Sequence, residues 1–413
     1  MAILEGIRIQ NYRALKDVTL GKVFDNESPP LTPMVAVIGA NGTGKSSLID
    51  AFDFLGDCLR EGVQAACDKP HRGGFERLRT QDSKAGIHFD VCYRENIGDR
   101  PIIYSVSIEG KPNGLAYVSE EKLQQTESYQ RTIDATAPEF FNLLEMKDGV
   151  GSAFVGDLIT SKVNGEQDGG MKVSVDSRTL SISALGTLGY FSRITAFREY
   201  LSTWYLSYFT PQLARTQPMS GADSHLDRTG ENLAKYLQFV ERENPSGFTE
   251  MLQRIARKIP GIQGIKPIKA PDRRLLLEFT VEGFDSPLYQ QDMSDGTLKM
   301  LAYLLLMEDP NPAPLIGIEE PENGLYPQLL GKLAAEFSAY AEQPGGPQIL
   351  VTTHSQNFVD ALSPEEVWIL DKGADGFSRL LRTADIRGVP ELYEAGLPMG
   401  SLWYSNHFGT DKP

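Results

Sequence analysis

The stretch Met34–Phe52, MVAVIGANGTGKSSLIDAF, constrains this chain more than any other. A short apolar run, Met34 to Ile38, leads into a glycine-rich turn. From Lys45 onward the apolar residues Leu48, Ile49 and Phe52 recur at helical spacing. The reading is therefore strand, tight loop, helix. Gly39, Ala40, Asn41, Gly42, Thr43, Gly44, Lys45 and Ser46 satisfy G-x-x-x-x-G-K-[ST], with Ser47 continuing into the helix. Glycines at these positions let backbone N–H groups close around phosphate oxygens. Lys45 is placed for the β and γ phosphates, and Ser46 can offer its hydroxyl to Mg²⁺. The first turn of the helix adds free N–H groups and the positive end of its dipole. A glycine-rich turn capped by chance is the competing reading, and the strand before and helix after it argue against chance.

Charge and cysteine content narrow the class. With 55 acidic and 40 basic residues the formal net charge is −15, whereas a dedicated nucleic-acid binder is usually basic. Any DNA contact must come from a local patch or a partner. The three cysteines, Cys58, Cys67 and Cys92, show neither C-x-x-C nor zinc-like spacing, which suits reduced buried thiols. No apolar run approaches the roughly 20 residues needed to cross a bilayer, and no leader pattern opens the chain. The expectation is a cytoplasmic protein without a membrane partner, and its 413 residues allow one large or two ordinary domains.

Three regions flank the loop. Residues 2–20 alternate as two strands around a tight connection, and Ile87–Tyr93 and Ile102–Ile108 read as further strands. Residues 111–245 are weakly patterned and rich in Ser, Thr, Gly and Gln, and suggest an inserted, largely helical lobe. The domain reading is thus 1–110, an insertion at 111–245, and 246–413 returning to the first unit. The stretch 251–274 carries Arg254, Arg257, Lys258, Lys266, Lys269, Arg273 and Arg274 against the single acid Asp272. It could follow a phosphate backbone. The preferred reading is a solvated helix face and a lysine-guarded strand edge.

Beyond that stretch lie three short segments that end in polar groups. Ser294, Asp295, Gly296 and Thr297 open a long apolar helix. Ser294 is a good N-cap there, and the free N–H groups of the same helix start are suited to a γ-phosphate. The strand Leu315–Ile318 runs into Glu319, Glu320, Pro321 and Glu322. Carboxylates at the tip of a buried strand are costly unless a cation sits with them. Glu319 is assigned to Mg²⁺ and Glu320 to orienting or deprotonating the attacking water, with Glu322 the alternative for either. The strand Gln348–Val351 leads to Thr353, His354 and Ser355, and His354 is assigned to sensing the γ-phosphate. All three tips would meet at the carboxyl ends of adjacent parallel strands, where open α/β sheets bind ligands.

Assembled, these residues resemble the ABC-type ATPases of the RecF, SMC and OLD branch. Ile9-Gln10-Asn11-Tyr12-Arg13-Ala14-Leu15-Lys16-Asp17 is similar to that branch's N-terminal signature, which implies that Arg13 reaches bound nucleotide. Ser294–Thr297 is similar to the ABC signature and Glu319–Leu325 to the Walker B and D-loop, with Glu319 standing where most relatives have Asp and Tyr326 where many have His. Gln81 lies in the interval of a Q-loop glutamine. The resemblance implies an α/β P-loop NTPase of ABC type, a mixed sheet with flanking helices. It implies ATP and Mg²⁺ as cofactors, and a homodimer closing head to tail on ATP so that each Ser294 completes the other chain's site. The catalytic set would be Glu320, His354 and Lys45. DNA maintenance or anti-phage defence, with a separate nuclease or toxin subunit, is one expected setting. About 40 residues follow Leu370, too few for a fused nuclease domain. A slow nucleotide-gated scaffold that holds a protein partner without touching nucleic acid is the other.

Overall fold

The computed structural model describes residues 2–24, 28–96, 98–126, 140–155, 162–163, 166–167, 170–221 and 223–409. Ile3–Tyr12 (β1) and Leu15–Gly21 (β2) form the expected hairpin. Its tight turn is closed by positive-φ conformations at Asn11 and Arg13 (58° and 51°). Met34–Ile38 (β3) feeds the phosphate loop and the helix Lys45–Glu61. Ile87–Arg94 (β4), Ile102–Gly110 (β5), Ala116–Thr126 (β6), Phe140–Lys147 (β7) and Val150–Phe154 (β8) follow. A two-residue ladder, Lys162–Val163 (β9) with Glu166–Gln167 (β10), precedes Gly170–Ser174 (β11). All but that ladder and β3 join one antiparallel sheet in the order β11-β8-β7-β6-β5-β4-β1-β2.

The mixed α/β class holds, but the segment 111–245 is not largely helical. Among its described residues the first part is strand, and the first helix is Ser181–Leu185, followed by Ser192–Ser202, Pro211–Ala214 and Leu233–Glu243. β5 and β6 pair directly across residue 111, so the hairpin continues the first sheet. The polar residues that weakened the sequence pattern are the outward half of half-buried strands. In β6, Val118 and Leu123 are buried, whereas Glu120 points out. Glu121, wholly buried on the same strand, accepts the backbone N–H groups of Ser181 and Ile182 (2.5 and 3.0 Å) and the Tyr104 hydroxyl (3.0 Å), tying the first helix of the segment to the sheet.

The second sheet holds the site. Tyr205–Ser207 (β12) is its edge, Ile262–Lys269 (β13), Leu275–Val281 (β14) and Leu288–Tyr289 (β15) form a small sheet apart, and Leu315–Glu319 (β16), Gln348–Thr353 (β17), Val367–Lys372 (β18) and Ser378–Arg382 (β19) complete it. The order is β12-β16-β17-β3-β18-β19, parallel throughout except for β19. Side chains alternate across each strand, so the sheet separates two cores. Val35 and Val37 face the phosphate-loop helix and the antiparallel sheet. Met34, Ala36 and Ile38 face the helices Leu233–Glu243, Pro245–Lys258, Asp295–Leu306 and Pro327–Ala341. Gln348 clips the two sheets together: its amide accepts from the Leu4 N–H (2.6 Å) and donates to the Leu4 carbonyl (2.9 Å). Among the described residues no helix is long and apolar enough to cross a membrane.

Candidate nucleotide site

The sheet order brings the polar ends of β16 and β17 beside the phosphate loop that follows β3. β17 lies between β16 and β3 in parallel register, pairing Glu319 with Thr352 and Thr353 with Ile38. Lys45 is buried, and its Nζ donates to the carbonyls of Gly39 (2.8 Å) and Ala40 (3.1 Å) across the loop. Burial pulls its pKa down, and the charges of Glu320, Glu322 and Glu319 act in the opposite direction. Those acids therefore lie within electrostatic reach of the lysine. Gly42 and Gly44 adopt positive φ (79° and 110°), the conformation the loop needs and side-chain-bearing residues resist. Ser46 stands exposed at the start of its helix with no side-chain partner among the described residues.

At the end of β16 the chain turns sharply. Glu320 adopts φ 43°, rare for a residue with a side chain, and its N–H donates to the Thr352 carbonyl (2.8 Å). Strain of this kind costs about 1–3 kcal/mol and is held by its surroundings. Here two contacts hold it. Asn323 Nδ2 donates to Glu320 Oε2 (3.0 Å), and the buried Lys299 Nζ donates to the carbonyls of Asn323 (2.8 Å) and Glu320 (3.4 Å). His354 Nδ1 lies 3.6 Å from Glu320 Oε1 and 3.0 Å from Glu322 Oε1. Glu322, the alternative acid, is committed elsewhere: one oxygen accepts from the Thr353 hydroxyl (2.8 Å) and the His354 N–H (2.6 Å). It orders the end of β17, whereas Glu320 is the more exposed of the two acids; the imidazole lies near both and closer to Glu322. Glu319 and Glu320 open onto a cleft of about 550 Å³ that Tyr208, Asp295, Lys299 and Asn323 also line.

Ser294 takes the N-cap role that the sequence allowed. Its hydroxyl accepts from the Thr297 N–H (3.1 Å) and lies 2.9 Å from the Thr297 hydroxyl. Among the described residues no hydrogen bond or ion pair joins 294–297 to the phosphate loop of the same chain, and Ser294 is exposed. Arg215 holds the segment in place through the Met293 carbonyl (2.7 Å) and Asp295 (2.6 Å). Arg13 pairs with Asp50 (3.1 Å), on the first turns of the phosphate-loop helix, and donates to the His71 carbonyl (3.0 Å). Gln81 is exposed in a turn next to Thr80, whose hydroxyl donates to the Arg13 carbonyl (2.8 Å).

Sequence reasoning missed Lys299, Arg215 and a larger feature behind the loop. Asp50, Asp53 and Asp57 recur at helical spacing on one face of Lys45–Glu61, and the fully buried Arg72 lies among them. Its guanidinium donates to Asp50 (2.9 Å), Asp57 (2.7 Å) and Asp53 (3.4 Å) and to the Ala66 carbonyl (3.1 Å). Lys69 and Arg60 each reach Asp57 at 2.7 Å, Arg228 pairs with Asp53, and the Tyr12 hydroxyl donates to Asp50 (2.7 Å). Burial opposes the Arg72 charge, but the surrounding negative groups outweigh it and drive the pKa up. Asp50, Asp53 and His71 also lie close enough to share a cation, a position that the guanidinium already serves. The aspartate spacing was the available signal. What it lacked was any indication of the arginine that meets it.

A protein-family profile described as "AAA domain, putative AbiEii toxin, Type IV TA system" matches residues 34–360. The chain belongs to this AAA-domain family. A search of curated protein sequences finds no match. Among solved structures, the AAA-domain chain is similar to an SMC head bound to the C-terminal winged-helix domain of ScpA, at 14% identity and TM-score 0.52, covering 92% of this chain and 97% of that one. It is also similar to the Smc head with an extended coiled coil from Pyrococcus furiosus, bound to the C-terminal domain of ScpA, at 15% identity and TM-score 0.54, covering 95% and 100%. The AAA-domain chain therefore has the ABC-type P-loop fold of SMC heads.

Proposed function

We propose that this AAA-domain protein binds and hydrolyses ATP, closes head to tail with a second copy when ATP is bound, and passes that change to a partner macromolecule. The observation that carries the reading is the split of the site. Lys45, Glu319, Glu320 and His354 gather at one end of the parallel sheet, while the capped, exposed start of the helix Asp295–Leu306 makes no bond to its own phosphate loop. Residues Gly39–Ser47 would cradle the polyphosphate and Ser294–Thr297 would meet the γ-phosphate of the other copy. Ser46 and Glu319, whose side chains have no hydrogen-bond or ion-pair partner among the described residues, fit a magnesium ion, which would supply positive charge to the polyphosphate. Water attacks the γ-phosphorus in line, the bond to the β–γ bridging oxygen breaks, and Glu320 accepts the water's proton. His354 would hold the carboxylate's orientation and sense the γ-phosphate.

Within this reading a protein partner is favoured over DNA. Of the basic stretch, Arg254 is paired with Glu250 and Glu308, Lys258 with Glu336 and Arg274 with Asp272. Two of these acids, Glu308 and Glu336, come from distant elements, and together the pairs engage three of the seven basic residues. The SMC heads similar to this chain are bound by ScpA domains, an example of a protein docked on this fold. The reading with DNA and a separate nuclease or toxin subunit keeps support from Arg257, Lys266, Lys269 and Arg273, which carry no ion pair among the described residues. Steady-state ATP hydrolysis by the purified protein, with and without duplex DNA at low and moderate salt, separates the two. The expected result is a rate that DNA leaves unchanged and Lys45→Ala abolishes. Stimulation that salt removes and that Arg257, Lys266, Lys269 and Arg273 neutralisation also removes would move the protein onto DNA. Hydrolysis surviving in Lys45→Ala would defeat the site assignment itself.

A further inference from the structure

The phosphate loop has a second neighbour, opposite the catalytic acids. β18 runs parallel to β3 on the side away from β17, and the hairpin that joins β18 to β19 lies against the outside of the loop. The packing is close. A Cβ at Gly39 would stand 2.2 Å from the Leu370 carbonyl, and one at Gly44 would stand 2.5 Å from Ser378 Oγ, so only glycine fits at either point. Ser378 also latches the hairpin down: its hydroxyl donates to the Thr43 carbonyl (2.6 Å) and its N–H to the Ala14 carbonyl (2.9 Å). A group carried on this hairpin is therefore held in register with the loop.

Lys372 is such a group. It ends β18, is exposed, and its Nζ stands 3.9 Å from where a Gly42 Cβ would be, over the middle of the loop. The nearby acids are otherwise engaged: Asp371 accepts the Lys372 backbone N–H (2.8 Å), and Asp375 pairs with Lys16 (3.7 Å). The Lys372 ammonium itself makes no ion pair or hydrogen bond among the described residues. Lys45 reaches the loop from within, whereas Lys372 reaches it from solvent.

We propose that Lys372 is a second phosphate-binding lysine, whose ammonium group pairs with the polyphosphate of the nucleotide seated in the loop. The proposal rests on the nucleotide reading above. Beyond the backbone cradle, Lys45 and a magnesium ion, part of the charge of a triphosphate stays unmatched, and an exposed, unpaired ammonium beside the loop can swing to meet it. Because the group is exposed the gain is modest and screened by salt.

Titration calorimetry with ATP and with ADP, at low and moderate salt, tests this. Lys372→Ala should weaken both affinities about three- to tenfold at low salt, and the gap should narrow as salt rises. Lys372→Glu should weaken them further and Lys372→Arg should restore them, with melting temperatures unchanged. Lys45→Ala, titrated in parallel, isolates the underlying reading. If it binds ATP like the wild type, the nucleotide assignment fails. If it loses binding while Lys372→Ala and Lys372→Glu bind like the wild type, the role of Lys372 alone is overturned.

Discussion

Glu320→Gln is expected to lower ATP turnover by about 10²- to 10⁴-fold while leaving nucleotide binding intact, the range that a positioned general base supplies. The substitution keeps the side chain's length and an oxygen that can still accept from Asn323 Nδ2, so the turn at φ 43° and the Lys299 contacts to its carbonyls should persist. What it removes is the capacity to take a proton. Since Glu322 already accepts from Thr353 and His354, it is poorly placed to substitute. A variant that binds ATP and does not cleave it should stay closed. Light scattering in Mg-ATP should give roughly twice the 45.6 kDa of one chain for Glu320→Gln, and one chain's mass without nucleotide. Equal masses in both conditions would remove the dimer from the reading, and wild-type turnover would remove Glu320 from the chemistry.

Arg72→Leu is expected to cost about 3–5 kcal/mol of stability, the usual effect of deleting one partner from a buried ionic cluster. The loss arises from what remains. Asp50, Asp53 and Asp57 would stay on their helix face without the guanidinium that bonds all three. Burial acts against the Asp57 charge, and hydrogen bonds from Lys69, Arg72 and Arg60 overcome it and hold the pKa below the usual carboxylate value. A depressed folded-state pKa stabilises above the unfolded value of about 4 and loses that contribution as pH falls through the folded value. The Asp57 share of the Arg72→Leu deficit should therefore be fully present near neutral pH and shrink as pH falls through the range in which that carboxylate protonates. Denaturant melts of both proteins across that range would show it, and a constant difference would mean that lost packing, not charge, is the cause. Because the same cluster anchors Arg13 and begins one turn beyond Lys45, the variant should also weaken ATP binding.

The site was more legible than the fold around it. Glycines at 39, 42 and 44, followed by Lys45 and Ser46, name a phosphate loop because the chemistry depends on backbone shape over eight consecutive residues. The acids after β16 and the histidine after β17 were legible for a related reason: each follows a short apolar run stopped by polar groups that are costly to bury alone. The middle of the chain was not legible, because strands with one wet face carry Ser, Thr and Gln at alternate positions and their partners lie elsewhere. β6 reads as strand once β5 and β7 are beside it. Part of the basic stretch changes character in three dimensions, since Glu308 and Glu336, which pair with Arg254 and Lys258, sit on other elements.

Local chemistry, then, was set by the sequence alone: the loop, the helix that follows it, the acids after β16 and the histidine after β17. These rest on contiguous residues and on propensities that act within a turn or two. Tertiary structure decided which acid is more exposed and which is committed, that Lys299 and Arg215 brace the helix at 295–306, that Arg72 gathers three aspartates, and that Lys372 stands over the loop. Each of these depends on charges brought together from distant positions, and charges interact through distance in space, which the order of residues does not record.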